Sequence, residues 1–141
     1  MNSTHFHPMV VHFPIALLIV GFLYEAISVF FCKEHKLSKA GMWLIILGTL
    51  GAWAAYFTGE YFTDEMTGAR GELKESHELF AKIVMYTMLA VSALRIWINW
   101  KKMESGNMKW VMLVLMLAMA ACVGYTGFLG GSLVYDQMIV F

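Results

Sequence analysis

The sequence predicts an all-α integral membrane protein, a four-helix bundle built from two similar helical hairpins. Three observations predict it. The 141 residues are 60% hydrophobic and only 14% charged, with a mean hydropathy of +0.64, whereas a soluble domain carries roughly a quarter charged residues. Four apolar segments, at about 13–32, 41–58, 80–100 and 110–129, each approach the length that crosses a ~30 Å hydrocarbon core. No long polar, Ser-rich or Pro-rich tract separates them, so residues 1–141 read as a single domain whose main solvent is the lipid bilayer. Net charge is zero, which gives no footing for nucleic acid.

The first span opens at Phe13 and Pro14. Proline suits the first turn of a helix, where its missing N–H costs nothing. No basic stretch precedes this run and no small-residue cleavage pattern follows it, so it reads as a span and not as a secretory signal. Glu25 lies inside the span, where a carboxyl is costly; it is expected to pair with Arg95 or to snorkel to the near interface. The KEHK run after it reads as a solvated loop that carries His35. The second span runs to the AYFTG stretch, Ala55 to Gly59, and an acidic loop follows. The third span opens on HELFA, His77 to Ala81. In the fourth, Met112, Met116 and Met119 stand at helical spacing and read as core filler. Backbone groups without water must bond internally, which makes all four spans helices. Cys32 and Cys122 belong to different spans near opposite faces, so no disulfide is expected. The absence of CxxCH excludes a thioether-linked haem.

Lysine and arginine orient the bundle. Lys33, Lys36, Lys39, Arg95, Lys101, Lys102 and Lys109 fall on one side; Arg70, Lys74 and Lys82 fall on the other. Both termini and the second loop are therefore expected outside, which is the periplasm for a bacterial inner (cytoplasmic) membrane. His5, His7, His12 and His77 then gather at one membrane face.

The two hairpins resemble each other. His12 to Ala16 reads HFPIA and His77 to Ala81 reads HELFA; the partner helices close AYFTG and VGYTG. Such self-similarity marks a repeated unit and makes His12 and His77 equivalent, on opposite sides of the bundle axis. Bundles build cofactor sites from side chains on facing helices, and a haem b takes two axial imidazoles from opposite sides. The expected site therefore has His12 and His77 as metal ligands and His7 beside them; Gly48, Gly51 and Gly59 of the second helix and Gly124, Gly127, Gly130 and Gly131 of the fourth give the ring close approach, Gly51 and Gly127 foremost, and Arg70 or Lys74 meets propionates. With both axial positions filled, such an iron carries electrons, so the protein is expected to be an electron carrier and not an enzyme by itself. Its partners would be quinol in the membrane, or a periplasmic cytochrome docking on the acidic second loop. Two alternatives stand beside it. One is a non-haem zinc, copper or iron site on His7, His12 and His77 with Glu78 or Asp136. The other is a non-catalytic subunit of a larger redox complex; a homodimer is also compatible with so small a chain. No nucleophile near a histidine, no phosphate loop and no HExxH supports a hydrolase.

HPMVVHFPIALL and YTGFLGGSLVY together resemble domain of unknown function family 2231, small bacterial four-helix membrane proteins, over nearly the whole chain. His7, Pro8, Val11, His12, Phe13 and Pro14 carry the first motif. Gly130, Gly131, Leu133, Val134 and Tyr135 carry the second. The resemblance implies association with cytochrome and Rieske-type modules, hence electron transfer. It also implies a histidine and a glycine where this chain has Gln137 and Met138, so a second site that used His7 with that histidine would be incomplete here.

Overall fold

The computed structural model describes residues 6–32, 35–63, 66–103 and 106–138. Four helices account for almost all of them: α1 (Phe6–Ile27, continued by a π-helical turn at Ser28–Cys32), α2 (His35–Phe62), α3 (Ala69–Trp100) and α4 (Gly106–Met138). Each contains a segment long and apolar enough to cross a membrane, and no strand occurs among the described residues. The helices outrun the expected spans because apolar content marks only what the bilayer covers, whereas helical hydrogen bonding continues into the polar turns on either side. α3 therefore starts at Ala69, eleven residues before Phe80, with Gly68 ahead of it in the left-handed region (φ 67°) that glycine adopts at no cost. Pro14 does not open α1. It is the ninth residue of the helix, inside it.

Each helix packs on its neighbours in the chain and α4 closes on α1. α1 and α3 thus face each other across the bundle axis, as do α2 and α4. The core is apolar and rich in methionine: Leu18, Ile45, Val84, Met88, Met112 and Met116 are buried from all four helices. The methionines at 112, 116 and 119 are packing residues, as expected. α1 seats closely on α2 because α2 offers small residues to it. A methyl added at Gly41 would come 3.1 Å from the Gly21 carbonyl, and one at Gly48 would come 3.3 Å from Leu17 Cβ. Between membrane helices such close backbone approach is a main source of packing energy.

Two polar contacts cross the core. Thr49 and Ser92 share a hydrogen bond of 2.7 Å between α2 and α3. Toward the end of the bundle that holds the α1–α2 and α3–α4 connections, Arg95 Nη2 donates to Glu25 Oε2 at 3.1 Å, to the Ser38 carbonyl at 3.3 Å and to the Ser38 hydroxyl oxygen. Ser38 donates to the same Glu25 oxygen at 3.0 Å. Arg95 and Glu25 are 2% and 1% exposed. Glu25 therefore pairs and does not snorkel; Arg95 ties both helices of the first hairpin to the second.

Candidate functional site: a histidine pair across the bundle axis

At the opposite end of the bundle two imidazoles meet. His7, in the first turn of α1, and His77, in the third turn of α3, have ring centroids 6.3 Å apart and planes at 82°. They come from diagonally opposed helices, so they reach each other across the axis. Each ring lies on bare backbone of the helix beside it. A methyl built at Gly59 of α2 would stand 3.0 Å from His7 Cε1; one at Gly130 of α4 would stand 2.9 Å from His77 Cε1.

The hydrogen bonds fix which nitrogen of each ring is free. His77 Nδ1 lies 3.1 Å from the Thr126 carbonyl, which only accepts, so Nδ1 carries the proton and Nε2 keeps its lone pair. His7 Nδ1 lies 3.1 Å from the Thr58 hydroxyl. That hydroxyl has one hydrogen, and it is directed to the Ala55 carbonyl at 2.9 Å. Toward His7 it can only accept, and His7 too holds its proton on Nδ1. In their neutral form the two imidazoles, which meet across the axis, carry their protons on anchored Nδ1 atoms and keep Nε2 unprotonated. This is the outer-shell arrangement that orients metal-ligating histidines.

Several sequence expectations change here. His12 is not the partner of His77: it is exposed, and its Nδ1 bonds to the Pro8 carbonyl of its own helix. The reason is helical phase. His7 and His12 are five residues apart, about 500° around a helix with 3.6 residues per turn, so when one faces the axis the other faces out. Gly51 lies at the α1–α2 contact, where an added methyl would meet Phe13 and Pro14 at 3.2–3.4 Å. Gly127 is exposed, with Ile15 Cδ1 as its nearest neighbour at 4.0 Å; Gly130, one turn on, lies under His77 instead. Arg70 is half-buried in the first turn of α3, two turns from His77 on the same helical face. Glu78 is held by Lys74 at 3.5 Å. No group of three or more His, Cys, Asp or Glu is assembled for a metal among the described residues, so the set His7, His12, His77 and Glu78 is not brought together. The side chains of Asp136, Gln137 and Met138 lie outside the described residues. Gly59 and Gly130 are among the glycines expected to give close approach; Thr58 and Thr126 were not singled out, although the repeated Tyr and Thr-Gly endings of α2 and α4 carried their signal.

No curated protein and no solved structure matches the chain. The family model described as predicted membrane protein (DUF2231) matches residues 4–140. Four membrane-length helices, closed around a buried polar tie at one end and an imidazole pair at the other, belong to a chain that is a member of this family of membrane proteins.

Proposed function

We propose that the protein is a membrane b-type haem protein that carries electrons, with the iron held between Nε2 of His7 and Nε2 of His77. The observation that carries this reading is the matched pair of anchored imidazoles. With metal–nitrogen bonds of about 2.0–2.1 Å, and each ring nitrogen roughly 1.2 Å from its own centroid, imidazoles on opposite sides of one ion have centroids about 6.4 Å apart. The observed separation is 6.3 Å. Thr58 and the Thr126 carbonyl hold the two rings by Nδ1; Gly59 and Gly130 give them close approach to α2 and α4; Arg70, two turns from His77 on the same face, would be a cation for a propionate. Bound haem supplies one-electron chemistry. In this reading the site faces the periplasm of a bacterial inner membrane. The exposed carboxylates Glu72 and Glu75 of α3 favour a basic cytochrome as partner, and quinol is the membrane-borne alternative.

The test is the visible spectrum of protein purified in detergent after expression with ample haem, oxidised and dithionite-reduced, with a pyridine haemochrome assay. Sharp α and β bands on reduction are expected. His7→Ala and His77→Ala each remove this six-coordinate signature, while His12→Ala keeps it. A colourless protein ends the haem reading. Because the centroid spacing alone suits any single two-coordinate ion, a stoichiometric metal without porphyrin in elemental analysis would then establish the non-haem alternative.

A further inference from the structure

The two imidazoles match in tautomer but not in how they are held. His77 is the ninth residue of α3, with two full turns of helix before it and six after it, and its Nδ1 proton rests on a backbone carbonyl that the α4 ladder fixes in place. His7 is the second residue of α1. It belongs to the first turn, where four N–H groups have no partner within the helix, and its proton rests on a side-chain hydroxyl.

The helix behind His7 also has a joint. Pro14 has no N–H for the Val10 carbonyl, and its ring crowds that carbonyl. The segment Phe6–Phe13 is therefore coupled to the rest of α1 more weakly than one ordinary turn is to the next. The far side of the joint is fixed: Pro14 packs against the Gly51 position at 3.3–3.4 Å, and its carbonyl lies 3.6 Å from the methyl position of Gly48. The near side touches α2 at its two ends, with His7 Cε1 3.0 Å from the Gly59 methyl position and Phe13 Cδ1 3.2 Å from that of Gly51, and is bare on its outer face. Met9 and Phe13 are 69% and 59% exposed, and His12 faces outward. His7 thus sits on a two-turn arm that is jointed at a proline and, among the described residues, has an exposed outer face.

We infer that His7 is the displaceable member of the pair, and that the site exchanges it for a small neutral donor ligand while His77 stays bound. The inference rests on the haem reading above. Opening would move the arm at Pro14 and break the Nδ1–Thr58 hydrogen bond while His77 stays anchored on the Thr126 carbonyl; a bound haem would then take a lone pair from the small donor in exchange for that of His7, with no electron transferred. The pair then does more than pass electrons: it gives the protein a coordination site that is closed at rest.

The probe is carbon monoxide, added to the dithionite-reduced haem protein and followed by stopped-flow visible spectroscopy. A carbonyl adduct should form at a rate that levels off at high carbon monoxide, because arm opening limits it. Pro14→Ala restores the missing backbone hydrogen bond and should lower that limiting rate by about tenfold, the worth of one such bond. Thr58→Val should raise it, and Thr58→Ser should restore it. His7→Ala should keep a five-coordinate haem that takes carbon monoxide without a limiting step, whereas His77→Ala should lose the haem. A reduced protein whose bis-histidine spectrum carbon monoxide leaves unchanged overturns the inference alone, as does an unchanged rate in Pro14→Ala or retention of haem by His77→Ala with loss in His7→Ala. A protein that binds no haem overturns the inference together with the reading beneath it.

Discussion

At the scale of single residues, the site depends on what lies behind each imidazole as much as on the imidazole itself. Gly130 is the sharpest case. A methyl there would sit 2.9 Å from His77 Cε1, closer than real contacts allow, and the Gly130 backbone cannot yield without disturbing α4. Gly130→Ala is expected to weaken haem retention by about tenfold, near 1.4 kcal/mol, with helical content unchanged by circular dichroism. Gly59→Ala should act in the same direction and less strongly, since its contact is 3.0 Å. If haem titration gives wild-type affinity for Gly130→Ala, the rings do not bind through the faces assigned to them. His77 was legible in the sequence because it opens the third span beside a recognisable repeat. The choice between His7 and His12 was not. The repeat aligned His12 with His77, but which of two histidines faces the axis depends on the phase of α1, and that phase is set by where α1 starts and by how Gly48 and Gly51 receive Pro14 and Leu17.

At the scale of helices, the four spans were legible from hydropathy and their ends were not. A bilayer-based reading stops where apolar residues stop, so it missed the first two turns of α1 and three turns of α3, the turns that carry His7 and His77. It also placed Pro14 at a helix start, when the residues before it are helical. The α1–α2 seam gives a test at this scale. Gly41 and Gly21 approach backbone to backbone, with 3.1 Å from a methyl at Gly41 to the Gly21 carbonyl. Gly41→Val has to part the two helices, and overpacking of this kind costs about 1–3 kcal/mol. Unfolding in a denaturing detergent titration should therefore come earlier for Gly41→Val, while the same change at Gly106, where an added methyl meets nothing, should leave the midpoint in place.

At the scale of the whole molecule, the bundle is tied at one end by charge and carries the imidazole pair at the other. The ion pair was legible, since Glu25 and Arg95 are the acidic and basic residues embedded deepest in their spans. That Ser38 completes the tie was not, because a serine in a lysine-rich turn reads as loop. Removing one partner strands a buried charge, so Arg95→Met and Glu25→Leu are each expected to cost about 3–5 kcal/mol. The double variant should recover much of that loss, because an apolar pair of similar size needs no desolvation. Detergent unfolding of the three variants checks this; a double variant no better than either single one would mean that the tie stabilises through more than charge balance.

The same tie bears on how the protein is made. Glu25 and Arg95 are 70 residues apart in the chain. At a synthesis rate of roughly 5–20 residues per second, the carboxyl emerges several seconds before its guanidinium. During that interval the first hairpin holds an acid in hydrocarbon without its counter-charge, a state that favours residence near the headgroups. The first two helices therefore cannot settle as a finished unit when they leave the ribosome. Their final seat opens only once α3 has arrived, and the insertion machinery has to keep the early hairpin in waiting until it does.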